Sequence, residues 1–271
     1  MRRYNRLFET EFAKTGVSVG DSTIKGVSLS HSFSGNVEEV WASVSEENEL
    51  RRKPGNYVTY SVLNVDNKSR QNLTNKLCFA IKELCGKKSR RILVLGMGNS
   101  EIISDSLGVK TLEKIDIKNL NREDRRFAKF CPGVFAVSGF HSFEIVSALN
   151  SIVLPDTIIV VDSLCAGSVF RLGKSFQVSD AGITPGSAMG ENICNITSAT
   201  MGGARVISIG VPVVIYLQSV LEEATEKLKP LEENSLEVLN DFDGIFSPKE
   251  IDEIIDYSSD IIASAIIKAF I

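Results

Sequence analysis

Apolar residues fall into two alternating patterns along this chain. Short runs rich in Val, Ile and Leu occur at Arg91 to Leu95, Val134 to Val137, Thr157 to Val161 and Arg205 to Ile209. Such runs predict short buried strands. Between them, Asp105 to Lys114, Ser142 to Leu149 and Val213 to Lys229 carry apolar positions three and four apart, which predicts helices. Strands alternating with helices predict an α/β fold: a single three-layer domain with a mostly parallel sheet flanked by helices. Upstream, residues 17 to 65 are rich in Val, Ser, Thr and Gly and predict short strands with turns, the clearest at Tyr57 to Val65. Asn67 to Leu84 predicts a helix stopped by Gly86, and Arg171 to Val178 an added strand.

The final helix has the best-marked start. Ser247-Pro248-Lys249-Glu250 offers an N-cap serine, a first-turn proline and a third-position glutamate. Ile251, Ile254, Ile255, Ile261, Ile262 and Ile266 follow at helical spacing and predict a core stripe. Residues 230 to 246 are acidic and predict an irregular connection. Residues 1 to 16 read as a charged leader, leaving 17 to 271 as one domain.

Composition narrows the field. Of 271 residues, 43% are apolar and 24% charged, the balance of an ordinary globular protein. A net charge of −4 gives no basic face for duplex DNA, so no nucleic-acid partner is expected. The runs Arg51-Arg52-Lys53 and Lys87-Lys88-Ser89-Arg90-Arg91 read as solvated loop edges. No apolar stretch reaches the roughly 20 residues of a membrane span. The basic start lacks the apolar segment of a signal peptide, so an intracellular protein without a membrane partner is expected. The five cysteines are dispersed, with no Cys-x-x-Cys, and read as reduced thiols. Cys78 and Cys85, seven apart, are expected to share a buried helix face. No metal or cofactor is expected.

The candidate chemistry lies where predicted strands end, the crevice at which open α/β sheets bind ligands. Asp105 follows the small-residue turn Gly96-Met97-Gly98-Asn99, and Asp162 ends the strand Ile158 to Val161. A carboxylate at the end of an apolar strand needs a partner or a purpose. Two of them can form an acid/base pair; each can also simply cap a helix, the commoner role on spacing alone. The Gly96-Met97-Gly98 turn lacks the third glycine of a dinucleotide fingerprint and reads as a place where backbone approaches a site. The stretch Asp180 to Gly190 is dense in turn formers and reads either as a surface loop or as an active-site loop. His31 is expected to be exposed, His141 to start a helix, and Cys165 to be a buried thiol. Neither a Gly-x-Ser-x-Gly elbow nor a His-Glu-x-x-His pair exists, which disfavours serine and zinc hydrolysis.

The order of these pieces resembles the germination proteases, endopeptidases that degrade small acid-soluble spore proteins. The matching stretches are Leu95 to Asn99, Ser104 to Gly108, Cys131 to Val134, Pro155 to Leu164, Val178 to Ser187, Ile209 to Val214 and Ser247 to Asp252. The resemblance implies a fold like that of the hydrogenase-maturation peptidases and a catalytic pair at Asp105 and Asp162. It implies substrate-binding positions at Gly98, Asn99, Asp180, Gly182, Pro185, Gly186 and Ser187. It further implies a homotetramer in the cytoplasm of the spore core, made as an inactive precursor. Glu9-Thr10-Glu11-Phe12-Ala13 is similar to the family's substrate cleavage sequence and marks Glu11-Phe12 as a self-processing site. Thr184 stands where the family usually has histidine, and His141-Ser142 where it has Glu-Thr. Two other readings remain open: a non-catalytic sporulation relative, and a nickel-dependent hydrogenase-maturation peptidase.

Overall fold

A computed structural model of the chain describes residues 24–50, 52–86, 89–185, 194–228 and 244–271. The leader with Glu11 and Phe12, together with Gly186 and Ser187, lies outside them. One nine-stranded sheet organises the rest, with spatial order β1-β2-β3-β7-β8-β6-β4-β5 and β9 on β8. The strands are β1 Val27–Ser34, β2 Val37–Val44, β3 Gly55–Val62, β4 Arg91–Gly96, β5 Arg126–Phe130, β6 Thr157–Ala166, β7 Ser175–Ser179, β8 Arg205–Tyr216 and β9 Ile245–Phe246. β8, β6, β4 and β5 pair in parallel. β1, β2, β3 and β7 extend the sheet in antiparallel register to β8.

Alternation along the strands gives the sheet two faces. One face carries Val58, Tyr60, Val94, Ile159, Val161, Ile207 and Ile209 and is covered by helices. These helices are α1 (Asn67–Cys85), α2 (Leu107–Glu113) and α6 (Ile251–Phe270). The predicted isoleucine stripe of α6 is buried there, with Ile262 and Ile266 fully so. The other face carries Leu93, Leu95, Ile158, Val160 and Val206 under Val146 of α4 (Ser142–Val153) and under Ile183, Ile196, Met201 and Ala204. Among the described residues the remaining α-helices are α3 (Phe135–Ser138) and α5 (Leu217–Leu228).

Several boundaries differ from the sequence expectations. Val134 to Val137 is not a strand; it leads into α3, and the strand is β5, where Arg126 and Lys129 interrupt the apolar residues. β5 is an outer strand that buries only Phe127, so it carries no continuous apolar run. The segment Val213 to Tyr216 continues β8 instead of starting a helix. The last helix begins at Ile251 with Glu250 as its N-cap, so Ser247 does not cap it. His31 is half-buried on β1, 2.9 Å from the Glu38 carboxylate. Asp66 caps α1 by accepting the Ser69 N–H at 2.7 Å, and Gly86 ends it, as expected. Cys78, Cys85 and Cys165 are buried thiols.

Candidate active site

The turn after β4 is built from close backbone approaches. A Cβ on Gly96 would sit 2.4 Å from Gly108 O, and one on Gly98 would sit 1.9 Å from Asp105 O. Gly98 also has φ +102°, a conformation open to glycine. These contacts let the turn fold back on the short 3-10 segment Ile103–Asp105. The Asn99 N–H closes the loop, reaching both the backbone oxygen of Asp105 at 3.0 Å and its carboxylate at 2.8 Å. Asp105 therefore does not cap α2: its carboxylate is spent on Asn99, and Ser106 holds the N-cap position. Burial raises the Asp105 carboxyl above the ordinary aspartate value, with the Asn99 N–H pulling partly the other way.

Asp162 sits where β6 passes this turn. The Met97 N–H donates to Val161 O at 2.9 Å, and the segment Ile103–Asp105 packs against β6. Asp105 and Asp162 thus sit on neighbouring elements, the 3-10 segment and β6. Asp162 is 8% exposed, and its carboxylate accepts the Ser163 N–H at 2.8 Å. No helix follows it directly; β6 continues to Ala166, so helix capping does not explain it. In register it pairs with Gly210 of β8, which pairs in turn with Gln177 of β7. Gly210 lacks a side chain where a Cβ would strike Leu164 at 2.5 Å, which keeps the sheet face beside Asp162 low.

That low face opens into a cleft. Its floor is mixed: Gln177 and Ser179 from β7, Leu164 from β6, and Ser208, Ile209 and Gly210 from β8. One wall is Gly182, Ile183 and Thr184; the other is Arg52, Lys53 and Tyr57. Of the expected substrate-binding residues that the structure describes, Gly182 alone lines the cleft. Asp180 is turned to the neighbouring strand, where its carboxylate accepts the Asn56 N–H at 2.6 Å and the Asn56 side-chain amide at 2.8 Å. Pro185 is buried at the end of the described loop. Gly98 and Asn99 shape the Asp105 turn, and His141 is the N-cap of α4, with its backbone N–H on Glu144 at 2.8 Å.

Arg52 and Lys53 correct the expectation of a solvated edge. Arg52 is 9% exposed and lines the cleft. The legible signal was elsewhere: Tyr57, Gln177, Ser179 and Ser208 put polar groups at alternate positions of otherwise apolar strands.

Comparison with known proteins decides the family. The sequence model for the germination proteases matches residues 8–228. The chain belongs to the germination protease family. The germination protease of Oceanobacillus iheyensis is 32% identical over 224 residues, covering 76% of this chain and 61% of that protein. That of Geobacillus sp. is 29% identical, covering 78% of this chain and 59% of its own. The Clostridium acetobutylicum germination protease is 27% identical over 299 residues, spanning 95% of this chain and 89% of its own. The chain thus spans about three fifths of the length of the first two relatives. A NiFe hydrogenase maturation protease from Thermococcus kodakarensis matches 66% of this chain with 18% identity and a TM-score of 0.38.

Proposed function

We propose that this germination protease family member is an endopeptidase that hydrolyses small acid-soluble spore proteins during germination, using Asp105 and Asp162 as an acid/base pair. The observation that supports the reading is the packing of the segment Ile103–Asp105 against β6, which carries Asp162: two carboxylates on neighbouring elements, neither of them a helix cap. The raised carboxyl of Asp105 suits the protonated partner. Asp162 takes a proton from water as its oxygen attacks the scissile carbonyl. Asp105 gives its proton to the amide nitrogen as the C–N bond breaks. The products are a new carboxylic acid and a new amine, and the pair exchanges one proton to reset. The cleft beside Gly210 then holds substrate side chains.

The same reading covers the rest of the molecule's biology. The substrate is a spore-core protein, the enzyme a homo-oligomer, and the precursor is trimmed between Glu11 and Phe12 by the same aspartates. The deciding experiment is incubation with a purified small acid-soluble spore protein, followed by mass mapping of the products. Discrete internal cuts that vanish in Asp162→Asn are expected. No cleavage by a folded protein would favour the non-catalytic relative. Cleavage lost on chelation and restored by nickel alone would favour the maturation-peptidase chemistry.

A further inference from the structure

β6 outruns its neighbour. β4 pairs with it only as far as Gly96 and Val161, and the Met97 N–H adds a last bond to Val161 O at 2.9 Å. The Gly98 turn then carries the chain away to Asp105. β6 runs on from Asp162 to Ala166, still held on its other side by Gly210 to Ile215 of β8. Among the described residues no strand pairs with β6 on the β4 side past Val161. Backbone groups of successive strand residues point to opposite edges. Val161 O points to β4, so the N–H and C=O of Ser163 point to the same edge, beyond where β4 has turned off. The Ser163 N–H donates to the Asp162 carboxylate at 2.8 Å, and Ser163 O accepts no hydrogen bond from a described residue. Ser163 is also the one residue of β6 that is not buried.

An open strand edge is a template for another extended chain. This edge begins at Asp162, and the Asp162 carboxylate is itself folded onto its first N–H. On the peptidase reading above, we propose that the substrate binds by strand addition: its main chain, extended around the scissile bond, pairs with Ser163 on the free edge of β6. A substrate C=O accepts the Ser163 N–H, and a substrate N–H donates to Ser163 O. The Asp162 carboxylate is displaced from that N–H and turns to the attacking water. Recognition then falls on the backbone, so a cut needs a substrate segment that is already extended.

The test is an N-methyl scan on the full chain. Overlapping synthetic peptides that tile a small acid-soluble spore protein are ranked by fluorescence anisotropy on Asp105→Asn and on Asp162→Asn. Cleavage of the same peptides is followed with the wild type. The tightest binder is then remade with one backbone N-methyl group at each position in turn. Strand addition predicts alternation. Methylation at every second residue should weaken binding about fivefold or more, the scale of one backbone hydrogen bond, with the residues between them little affected. For the wild type, kcat/KM should follow the same period. A flat profile, losses at consecutive residues, or no binding of any peptide would overturn strand addition. Any of these with cleavage by the wild type would leave the peptidase reading intact. An alternating binding profile with no cleavage by the wild type would overturn the peptidase reading and keep the added strand.

Discussion

Asp105 serves two ends that pull against each other. Its carboxylate holds the Gly98 turn through the Asn99 N–H, and burial makes that same carboxylate costly to ionise. A carboxyl raised in the folded state stabilises the fold fully below its unfolded value, and that contribution is lost as pH rises through the folded value. Asparagine keeps the acceptor oxygen and cannot ionise. Asp105→Asn should therefore gain in melting temperature relative to wild type as the buffer moves from about pH 4 to about pH 8. A difference that stays constant across that range would show that burial of the charge is not the cause. Activity should move the other way. Replacing Asp105 or Asp162 by Asn is expected to lower kcat by about 10²-fold or more, the usual scale of a lost general acid or base. A folded Asp162→Asn with near-wild-type turnover would remove the pair from the mechanism. The sequence pattern puts both aspartates at strand ends; in the structure Asp162 lies within β6, which runs on to Ala166, and Asp105 lies in the 3-10 segment beyond β4. The role of Asp105 as a turn staple was not legible, because it depends on a hydrogen bond to Asn99 that spacing does not report. Arg52 was misread for a similar reason: a basic run looks the same in solvent and against a cleft, and only the fold brings it to the strand that carries Gln177.

Elements were legible where one pattern dominated. α1 and α6 are long, amphipathic and buried on one stripe, and both were found within a few residues. β5 was missed because an outer strand buries only part of its surface, leaving Arg126 and Lys129 in its ladder. β8 runs past the expected Ile209 to Tyr216, through Pro212. The β7 ladder stops at Gly210, and the Gly173 N–H donates to Pro212 O at 2.8 Å, so the missing N–H falls where no antiparallel partner needs it. Two substitutions test the elements that hold the site. Ile262 is fully buried in α6 among the residues covering the sheet, so Ile262→Ala should cost about 2–5 kcal/mol in denaturant unfolding. Gly98→Ala meets both a positive φ and a backbone oxygen at 1.9 Å, and neither can relax without moving the turn. It should cost about 1–3 kcal/mol and also lower kcat, since Asp105 moves with the turn. Loss of stability with kcat unchanged would separate the turn from the chemistry.

At the scale of the whole molecule, the sheet joins two halves with different logic. The parallel half carries Asp162 within β6 and Asp105 in the segment beyond β4, and the antiparallel half supplies Tyr57, Gln177 and Ser179 to the cleft. The parallel half was legible from strand–helix alternation; the joining of β3 to β7 was not, since it pairs residues more than a hundred positions apart. The antiparallel half ends at β1, an outer strand of eight residues whose positions Ser28, Ser30 and Ser32 are exposed and whose Phe33 is 70% exposed. An outer strand of small neutral side chains presents unpaired backbone groups with little charge to repel a second copy. Self-association through β1 is therefore expected. Light scattering should give a mass above that of one chain, and the double change Ser30→Lys with Ser32→Lys should lower it while leaving the cleft intact. Both serines project toward the face opposite the cleft, so charge placed there can oppose a second copy without entering the site. A wild type that scatters as a monomer at all working concentrations would contradict the idea outright. An oligomer unmoved by the lysines would place the contact elsewhere, with the apolar rim of Ile103, Phe135 and Phe140 as the next surface to charge.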